Sequence, residues 1–131
     1  MNVLFVCVGN QGRSVMAERL FERAAQGEHA ARSAGVVPGD GPHPEVVEAL
    51  REVGIDAGDH VPHRLDDADL GWADVAVSVC ADDQCPATPG LRRLNWGIQD
   101  PAGLPLEEVR PIRDEIERRV EQLTRELQSE A

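Results

Sequence analysis

The sequence predicts a three-layer α/β domain in which a parallel sheet lies between layers of helices. Three observations support this prediction. Short apolar runs alternate along the chain with segments of helical periodicity. The chain has 131 residues, enough to bury a core without disulfides or metals. It also contains no internal repeat, linker or low-complexity tract, so we expect residues 1–131 to form a single domain.

The individual elements follow from these patterns. Predicted strands cover residues 2–6, 30–37, 75–79 and 91–96. Predicted helices cover residues 14–25, 44–53 and 106–127. Gly54 is a stop signal for the second helix, whereas Pro111 lies inside the apolar stripe of the third and is an alternative start for it. Between the second helix and the third strand we expect irregular structure, with Asp66, Asp67 and Asp69 on a solvated loop.

Composition excludes several classes of function. All 13 basic residues are arginine and the net charge is −11, which argues against a nucleic-acid partner because phosphates demand a basic face. No apolar stretch approaches the ~18 residues that a membrane span requires. The N-terminus lacks the basic region and the cleavage site of a signal peptide. We therefore expect a cytoplasmic protein, monomeric, with no membrane partner.

The most informative segment runs from Val3 to Ser14. An apolar, β-favouring run ends at Cys7, a short loop follows, and Arg13 and Ser14 open a helical pattern. A strand that leads through a loop into a helix N-terminus presents backbone N–H groups to a tetrahedral oxyanion. Cys7 adds a nucleophile, Arg13 a bidentate clamp, and Ser14 a hydroxyl that can donate to the thiolate. The segment therefore indicates a site where a thiolate attacks phosphate or a similar anion.

The spacing of Cys7 and Arg13 is a weak motif by itself, because this composition produces some Cys-x5-Arg by accident with a chance of roughly 0.3. The alternative is a buried structural cysteine beside a surface arginine. The position of Cys7 at the carboxyl end of the first strand, where open α/β sheets bind ligands, favours the reactive cysteine. The many acidic residues do not oppose this, because remote charges are screened beyond ~8–10 Å.

Two more cysteines and an aspartate follow. Cys80 falls at the carboxyl end of a later strand, on the same sheet edge as Cys7. On an intact helix the Cα atoms of Cys80 and Cys85 would be roughly 8 Å apart or more, beyond the ~7 Å limit for a disulfide, so a bond between them requires a loop. The alternative is two incidental thiols. Asp100, before Pro101, either protonates a departing oxygen at the anion site or is an ordinary turn residue.

Taken together, these residues resemble the low-molecular-weight tyrosine phosphatase superfamily and, within it, the thioredoxin-coupled arsenate reductases. The resemblance runs over nearly the whole chain. The segments that carry it are 6–14, 33–35, 52–56, 80–86, 95–97, 100–103 and 113–116. It implies a four-stranded parallel sheet flanked by helices, with the anion loop after the first strand.

The resemblance also implies roles for the site residues. Cys7 attacks arsenate, Ser14 stabilises the thiolate, and Asp100 protonates the departing hydroxyl. The oxyanion is held by Val8, Gly9, Asn10, Gln11, Gly12 and Arg13, with Asn10 also bracing the loop. Phosphate and sulfate are expected to bind as analogues.

The remaining steps form a disulfide relay. Cys80 attacks the sulfur of Cys7 and arsenite leaves, and Cys85 then attacks Cys80. Thioredoxin, or a small thiol such as mycothiol, reduces the resulting pair. The resemblance implies no bound cofactor.

In some reductases of this group potassium binds beside the loop. The residues that match this site here are Asn10, Glu18 and Ser33, but His63 stands where an acidic residue is expected, so a potassium site is doubtful and no other metal site is expected. His60 and His63 form at best a weak ligand pair. Many relatives have a further cysteine at the position of Gly12. The implied relay does not require that cysteine.

Two other functions are alternatives to arsenate reduction. A tyrosine phosphatase uses Cys7, Arg13 and Asp100 but has no task for the later cysteines. Such phosphatases usually carry an aromatic residue where this chain has Ala102, and aromatic residues make up only 3% of the sequence. Reduction is therefore the favoured function, with weak phosphatase activity beside it. The second alternative is a non-enzymatic protein that senses anions. It is disfavoured because binding an anion does not require Cys7, Arg13 and Asp100 together.

Overall fold

Four strands and four helices make up the computed structural model, which describes residues 1–80 and 87–129. The strands are β1 (Asn2–Cys7), β2 (Ala30–Gly35), β3 (Val75–Ser78) and β4 (Arg92–Asn95). The helices are α1 (Arg13–Ala25), α2 (Pro44–Glu52), α3 (Asp67–Trp72) and α4 (Leu106–Ser129). All strand pairs are parallel and the order across the sheet is β2-β1-β3-β4, which confirms the predicted fold class.

β1 is an interior strand, paired with β2 on one side and β3 on the other. Its side chains alternate between the two faces of the sheet. Val3, Phe5 and Cys7 belong to the large core that α1, α2 and α4 cover. Leu4 and Val6 belong to a smaller core that α3 covers on the opposite face. This alternation places Cys7 on the same face as α1, the helix that follows it.

Beyond β3 and β4, the chain continues the sheet pairing toward the carboxyl edge. The Trp96 N–H donates to the carbonyl of Ser78 at 2.9 Å, and the Ile98 N–H donates to the carbonyl of Val79 at 3.2 Å. Trp96 and Ile98 are buried. The loop that carries Asp100 is therefore anchored to the same sheet edge at which β1 ends.

The helix α3 contradicts the sequence prediction for residues 66–69. Asp66 is its N-cap and accepts a hydrogen bond from the Asp69 N–H at 2.9 Å, while the Asp69 carboxylate accepts from the Asp66 N–H at 3.2 Å. Asp69 is buried rather than solvated. The prediction of a solvated loop was wrong because a six-residue helix is too short for a clear apolar periodicity, and its reciprocal cap uses Asp in place of the usual Glu or Gln.

The helix α4 begins at Leu106, so Pro111 lies in its interior and does not start it. Val109 and Ile112, on either side of the proline, are buried in the core, whereas Pro111 faces solvent. Packing of the buried residues therefore holds the helix through a position that lacks one backbone donor. Neither α4 nor any other helix within residues 1–80 and 87–129 combines the length and apolar character needed to cross a membrane.

Glu18 and Glu22 lie one turn apart on α1. Partial desolvation of the surface residue Glu22 and a hydrogen bond with the Glu18 carboxyl raise the pKa of Glu22 from its ordinary 4.5 to about 7, against a lowering effect of Arg19. Since the pKa is higher in the folded chain, the folded chain keeps a proton that the unfolded chain has already released. The stabilisation linked to this proton is complete below the unfolded pKa and is lost as the pH rises through about 7.

We expect Glu22→Gln to unfold at a higher urea concentration than the parent above neutral pH, since it removes the cost of ionising the carboxyl. The difference should shrink toward about pH 5, where the parent carboxyl is protonated. Urea unfolding of Glu22→Gln and the parent, from about pH 5 to above neutral pH, measures this difference in stability. Glu28→Gln, at an exposed site outside the helix, is the matched control. A pH-independent difference between Glu22→Gln and the parent would contradict the assigned protonation.

Candidate active site

The loop between β1 and α1, residues 8–12, directs the backbone N–H of Asn10 toward Cys7. Gly12 is the N-cap of α1 without a side-chain cap, and the first turn of α1 carries no acidic residue. The first N–H groups of the helix are therefore left for an outside acceptor. Asn10 adopts the left-handed conformation with φ 52°, and its N–H points at the Cys7 Sγ at 3.3 Å. Together these features form a concave nest suited to an oxyanion.

A chain of hydrogen bonds leads from Asn10 to the sulfur. The Asn10 Nδ2 donates to the Ser14 Oγ at 2.8 Å, and the Ser14 Oγ lies 2.8 Å from the Cys7 Sγ. Because the Ser14 oxygen accepts from Asn10, the hydroxyl hydrogen is left to donate to the sulfur. Cys7 is a free, buried thiol. Two polar groups, the Asn10 N–H and the Ser14 hydroxyl, thus converge on the Cys7 Sγ.

Asn10 is fully buried and is held from the side away from the sulfur. Its Nδ2 also donates to the Ser33 Oγ at 2.9 Å, and its Oδ1 accepts from the His63 N–H at 2.8 Å. The carbonyl of Asn10 accepts from the His60 Nε2 at 2.9 Å. This role of His60 and His63 is not predictable from the sequence, because nothing in a loop sequence shows which atoms of a distant loop its histidines will reach.

The segment 36–43 closes the outer side of the nest by a series of backbone hydrogen bonds. The N–H groups of residues 36, 37, 39 and 43 donate to the carbonyls of residues 7, 8, 9 and 11, at distances of 2.9 to 3.3 Å. Gly35 makes this approach possible, since a Cβ there would lie 2.5 Å from the Val8 carbonyl oxygen. With their carbonyls bonded outward, the loop residues are free to turn their amides inward.

Arg13 and Asp100 meet at the opposite side of the nest. The Arg13 Nη1 donates to the Ile98 carbonyl at 2.9 Å, and its Nη2 lies 3.8 Å from the Asp100 Oδ2. Arg13 is buried, whereas the side chain of Asp100 is 59% exposed. The Asp100 Oδ1 accepts from the Ala102 N–H at 3.0 Å. The turn therefore holds the carboxyl at the mouth of the site, next to the guanidinium.

These groups surround a cavity of about 270 Å³. The β1–α1 loop and its flanks contribute Cys7, Val8, Gly9, Gln11, Gly12 and Arg13, and segments distant in sequence contribute Val37, His43, Asp100 and Ala102. Of the residues predicted to bind the oxyanion, Asn10 is the exception: its side chain points away and only its backbone faces the sulfur. Val37 and His43 were not singled out from the sequence, because only the folding of segment 36–43 onto the loop brings them here.

Cys80 lies two residues beyond β3, on the same sheet edge as Cys7. It is buried, and its Sγ is 4.0 Å from the carbonyl oxygen of Val6, the residue before Cys7. Cys80 is disulfide-bonded in this structure, whereas Cys7 is free, so no Cys7–Cys80 bond is present. Cys85 lies outside the described residues, and its place in the relay stays a prediction.

The residues considered for potassium lie around a second cavity of about 390 Å³, behind the nest. Glu18 and Ser33 line it, together with His63 and Asp69. The His63 Nε2 is 2.7 Å from the Asp69 Oδ2, so this imidazole is bonded to a carboxylate. Potassium is bound by oxygen atoms, and His63 offers none from its side chain. The potassium site therefore stays a doubtful prediction.

We expect Asn10→Ala to lower the free energy of unfolding by about 1–3 kcal/mol, because it leaves buried partners of Asn10 unsatisfied. Urea unfolding measures the loss. Gln26→Ala is the matched control, since Gln26 has nearly the same left-handed φ of 50° but is exposed. Equal losses in both variants would show that backbone conformation, and not the hydrogen-bond network, accounts for the effect.

Comparison with known proteins agrees with this geometry. The family model of the low molecular weight phosphotyrosine protein phosphatases matches residues 2–131. Arsenate reductase 2 of Staphylococcus haemolyticus (strain JCSC1435) is 37% identical over 122 residues, covering 91% of this chain and 92% of the relative. The crystal structure of arsenate reductase from Archaeoglobus fulgidus DSM 4304 is 37% identical, with a TM-score of 0.84 over 93% of this chain and 98% of that chain.

Two further solved structures bear on function. A thioredoxin-dependent arsenate reductase of Corynebacterium glutamicum is 32% identical, with a TM-score of 0.83 over 99% of this chain and 63% of that chain. A low molecular weight protein tyrosine phosphatase from T. tengcongensis is also 32% identical, with a TM-score of 0.81 over 96% of this chain and 99% of that chain. Reductases and phosphatases thus share this fold. The chain belongs to the low molecular weight phosphotyrosine protein phosphatase family.

Proposed function

We propose that this protein reduces arsenate to arsenite. The observation that carries the proposal is the position of Cys80, a second cysteine at the sheet edge where Cys7 opens the anion nest. Hydrolysis of a phosphate ester requires one sulfur only, whereas reduction of As(V) to As(III) requires two electrons, which a pair of thiols supplies when it becomes a disulfide. The reductases among the relatives support the same choice.

In the first step, arsenate binds in the nest with its oxygens toward the loop amides and Arg13. The Cys7 thiolate attacks arsenic, and one arsenic-bound hydroxyl leaves as water. Asp100, at the mouth of the cavity, donates the proton to this leaving hydroxyl. The product is a covalent Cys7–As(V) adduct, held by the donors that held the substrate.

In the second step, the Cys80 thiolate attacks the sulfur of Cys7. The S–As bond breaks and its electron pair stays on arsenic, which leaves as arsenite. A Cys7–Cys80 disulfide forms, so the two electrons gained by arsenic come from the two sulfurs. Cys85 then attacks Cys80, which restores the Cys7 thiol and moves the disulfide to Cys80 and Cys85.

An external dithiol must reduce this last pair before the next turnover. We assign this task to thioredoxin, as in the thioredoxin-dependent relative, with a small thiol as the competing donor. The relay requires a compartment that keeps thiols reduced, and we therefore place the protein in the cytoplasm. No bound cofactor takes part, and the protein acts as a monomeric, single-domain enzyme.

The competing function on the same scaffold is hydrolysis of phosphotyrosine. Its nucleophile, arginine and acid are the same residues, so a small aryl phosphate should be a poor substrate of this enzyme. The mouth of the cavity presents Val37, His43 and Ala102, none of them a large flat ring of the kind that stacks on tyrosine. This favours a small inorganic anion over a phosphorylated protein.

The three cysteine variants separate reduction from hydrolysis. Cys7→Ser is expected to abolish both arsenate reduction and aryl phosphate hydrolysis, because both need the nucleophile. Cys80→Ser and Cys85→Ser should each lose multiple-turnover reduction but keep hydrolysis of the aryl phosphate within about twofold. Coupled NADPH oxidation with thioredoxin and thioredoxin reductase measures the first activity, and release of the phenol measures the second.

Mass spectrometry of the arsenate-treated parent identifies the linked cysteines, and the proposal requires Cys80 in the linked pair. Normal arsenate turnover by Cys80→Ser with thioredoxin would refute the relay. Turnover of the parent with a small thiol but not with thioredoxin would refute only the assigned donor.

We expect Asp100→Asn to lower kcat for aryl phosphate hydrolysis by about 10²–10⁴-fold, the usual contribution of a general acid. KM should change little, because Asp100 donates a proton and is not the anion's anchor. Asp40→Asn, an exposed change on segment 36–43, is the control. A rate within about twofold of the parent would exclude Asp100 as the acid.

A further inference from the structure

His43 is an unassigned polar group in the Cys7 cavity. Its ring lines the cavity beside Gly12 and Arg13, although the residue belongs to segment 36–43 and is remote in sequence from the anion loop. The sequence offers no motif around it. Its chemistry is nevertheless that of a hydrogen-bond donor and potential cation, which are the properties an oxyanion site uses.

Two backbone constraints fix the main chain of His43 beside the anion loop. Its N–H donates to the Gln11 carbonyl at 3.0 Å, which ties the residue to the anion loop. It precedes Pro44, the first residue of α2, and this restricts it to the observed extended conformation with φ −63° and ψ 134°. Its side chain makes no capping hydrogen bond to α2. The His43 carbonyl accepts from the N–H groups of Val46 and Val47, so the main chain of His43 serves the helix and its side chain does not.

The ring lies close to the anion loop. A Cβ added to Gly12 would lie 3.4 Å from the His43 Cδ2 and 2.8 Å from the Pro101 Cγ on the opposite wall. Because Gly12 has no side chain, the His43 imidazole and the loop that carries Asp100 can both lie close to it. Across residues 1–80 and 87–129, no protein group forms a hydrogen bond or ion pair with the His43 ring, so its N–H is available to a ligand.

The charges in the cavity show why another donor is useful. Arg13 is the only arginine among the described residues that line it, and this guanidinium already donates to the Ile98 carbonyl and lies beside the Asp100 carboxyl group. The Cys7 thiolate opposes an incoming anion. The remaining donors are backbone amides that converge at the bottom of the nest, next to the sulfur. An oxygen of the bound anion that points toward the cavity mouth would therefore meet His43 and not these amides.

We propose that His43 is a further oxyanion-binding residue, whose imidazole N–H donates to an oxygen of the bound anion. This assignment deepens the proposed arsenate reduction and rests on it for the identity of the substrate. Inorganic phosphate shares the tetrahedral oxyanion chemistry and reaches the same donors. Binding of phosphate therefore tests His43 without any redox step.

The test compares His43→Ala, His43→Gln and Val37→Ala in the full-length protein. Val37→Ala is the matched control, since it trims another wall of the same cavity but removes no donor. Calorimetric titration with inorganic phosphate measures affinity, and arsenate kinetics separate KM from kcat. Thermal unfolding and circular dichroism establish that each variant is folded.

We expect His43→Ala to weaken phosphate binding and raise KM for arsenate by about tenfold, the usual effect of losing a hydrogen bond to a charged ligand. The kcat should stay within about twofold, because the anion remains attached to the loop amides and Arg13. His43→Gln keeps an N–H donor and should fall between the parent and His43→Ala. Val37→Ala should bind phosphate as the parent does.

Two results would overturn the assignment: phosphate affinity of His43→Ala equal to that of the parent, or equal weakening by His43→Ala and Val37→Ala, which would indicate an effect of cavity shape. A parent protein that binds phosphate in a His43-dependent manner but does not reduce arsenate would refute the proposed function and leave the assignment of His43 intact. Reduction of arsenate with a KM that His43→Ala does not change would refute the assignment of His43 and leave the proposed function intact.

Discussion

The buried side chain of Asn10 is the constraint on which the rest of the site depends. Its amide bonds Ser14, Ser33 and the backbone of His63, while its own backbone N–H points at Cys7. A buried amide with unmet hydrogen bonds is costly, so each of these partners holds the loop in one conformation. The same bonds orient the Ser14 hydroxyl toward the sulfur. The geometry of the nucleophile is thus set by a residue that does not line the cavity with its side chain.

The parallel sheet explains why four distant segments meet at one point. β1 ends at Cys7, β2 ends at Gly35, and the chain beyond β3 and β4 leads to Cys80 and Asp100. In a parallel sheet all of these strand ends lie at one edge. The order β2-β1-β3-β4 puts β1 in the interior, between the strand that leads to segment 36–43 and the strand that leads to Cys80. The anion loop is therefore supported on both sides by neighbouring strands.

An acidic chain can hold an anionic substrate because the decisive charges are close and oriented. The net charge of −11 is distributed over a surface that solvent and salt screen. At the nest, the amides of the loop and of the α1 N-terminus act at hydrogen-bond distance, together with Arg13. Burial of Arg13 strengthens this local effect, since the surrounding dielectric is lower than in water. The site selects anions by short-range donors rather than by the field of the whole molecule.

The sequence alone was sufficient for the four strands, for α1, α2 and α4, for the parallel sheet, and for Cys7, Arg13 and Ser14 at one edge of it. These inferences depend on local periodicity and on the rule that strand ends meet, which need no knowledge of side-chain contacts. α3 and the course of α4 through Pro111 required the structure, because burial of Asp69, Val109 and Ile112 decides them. Tertiary structure alone also decided two further features: His60 and His63 form hydrogen bonds with Asn10, and His43 lines the cavity. Each of these contacts joins residues more than 30 positions apart, and such proximity arises only when the loops have packed against one another.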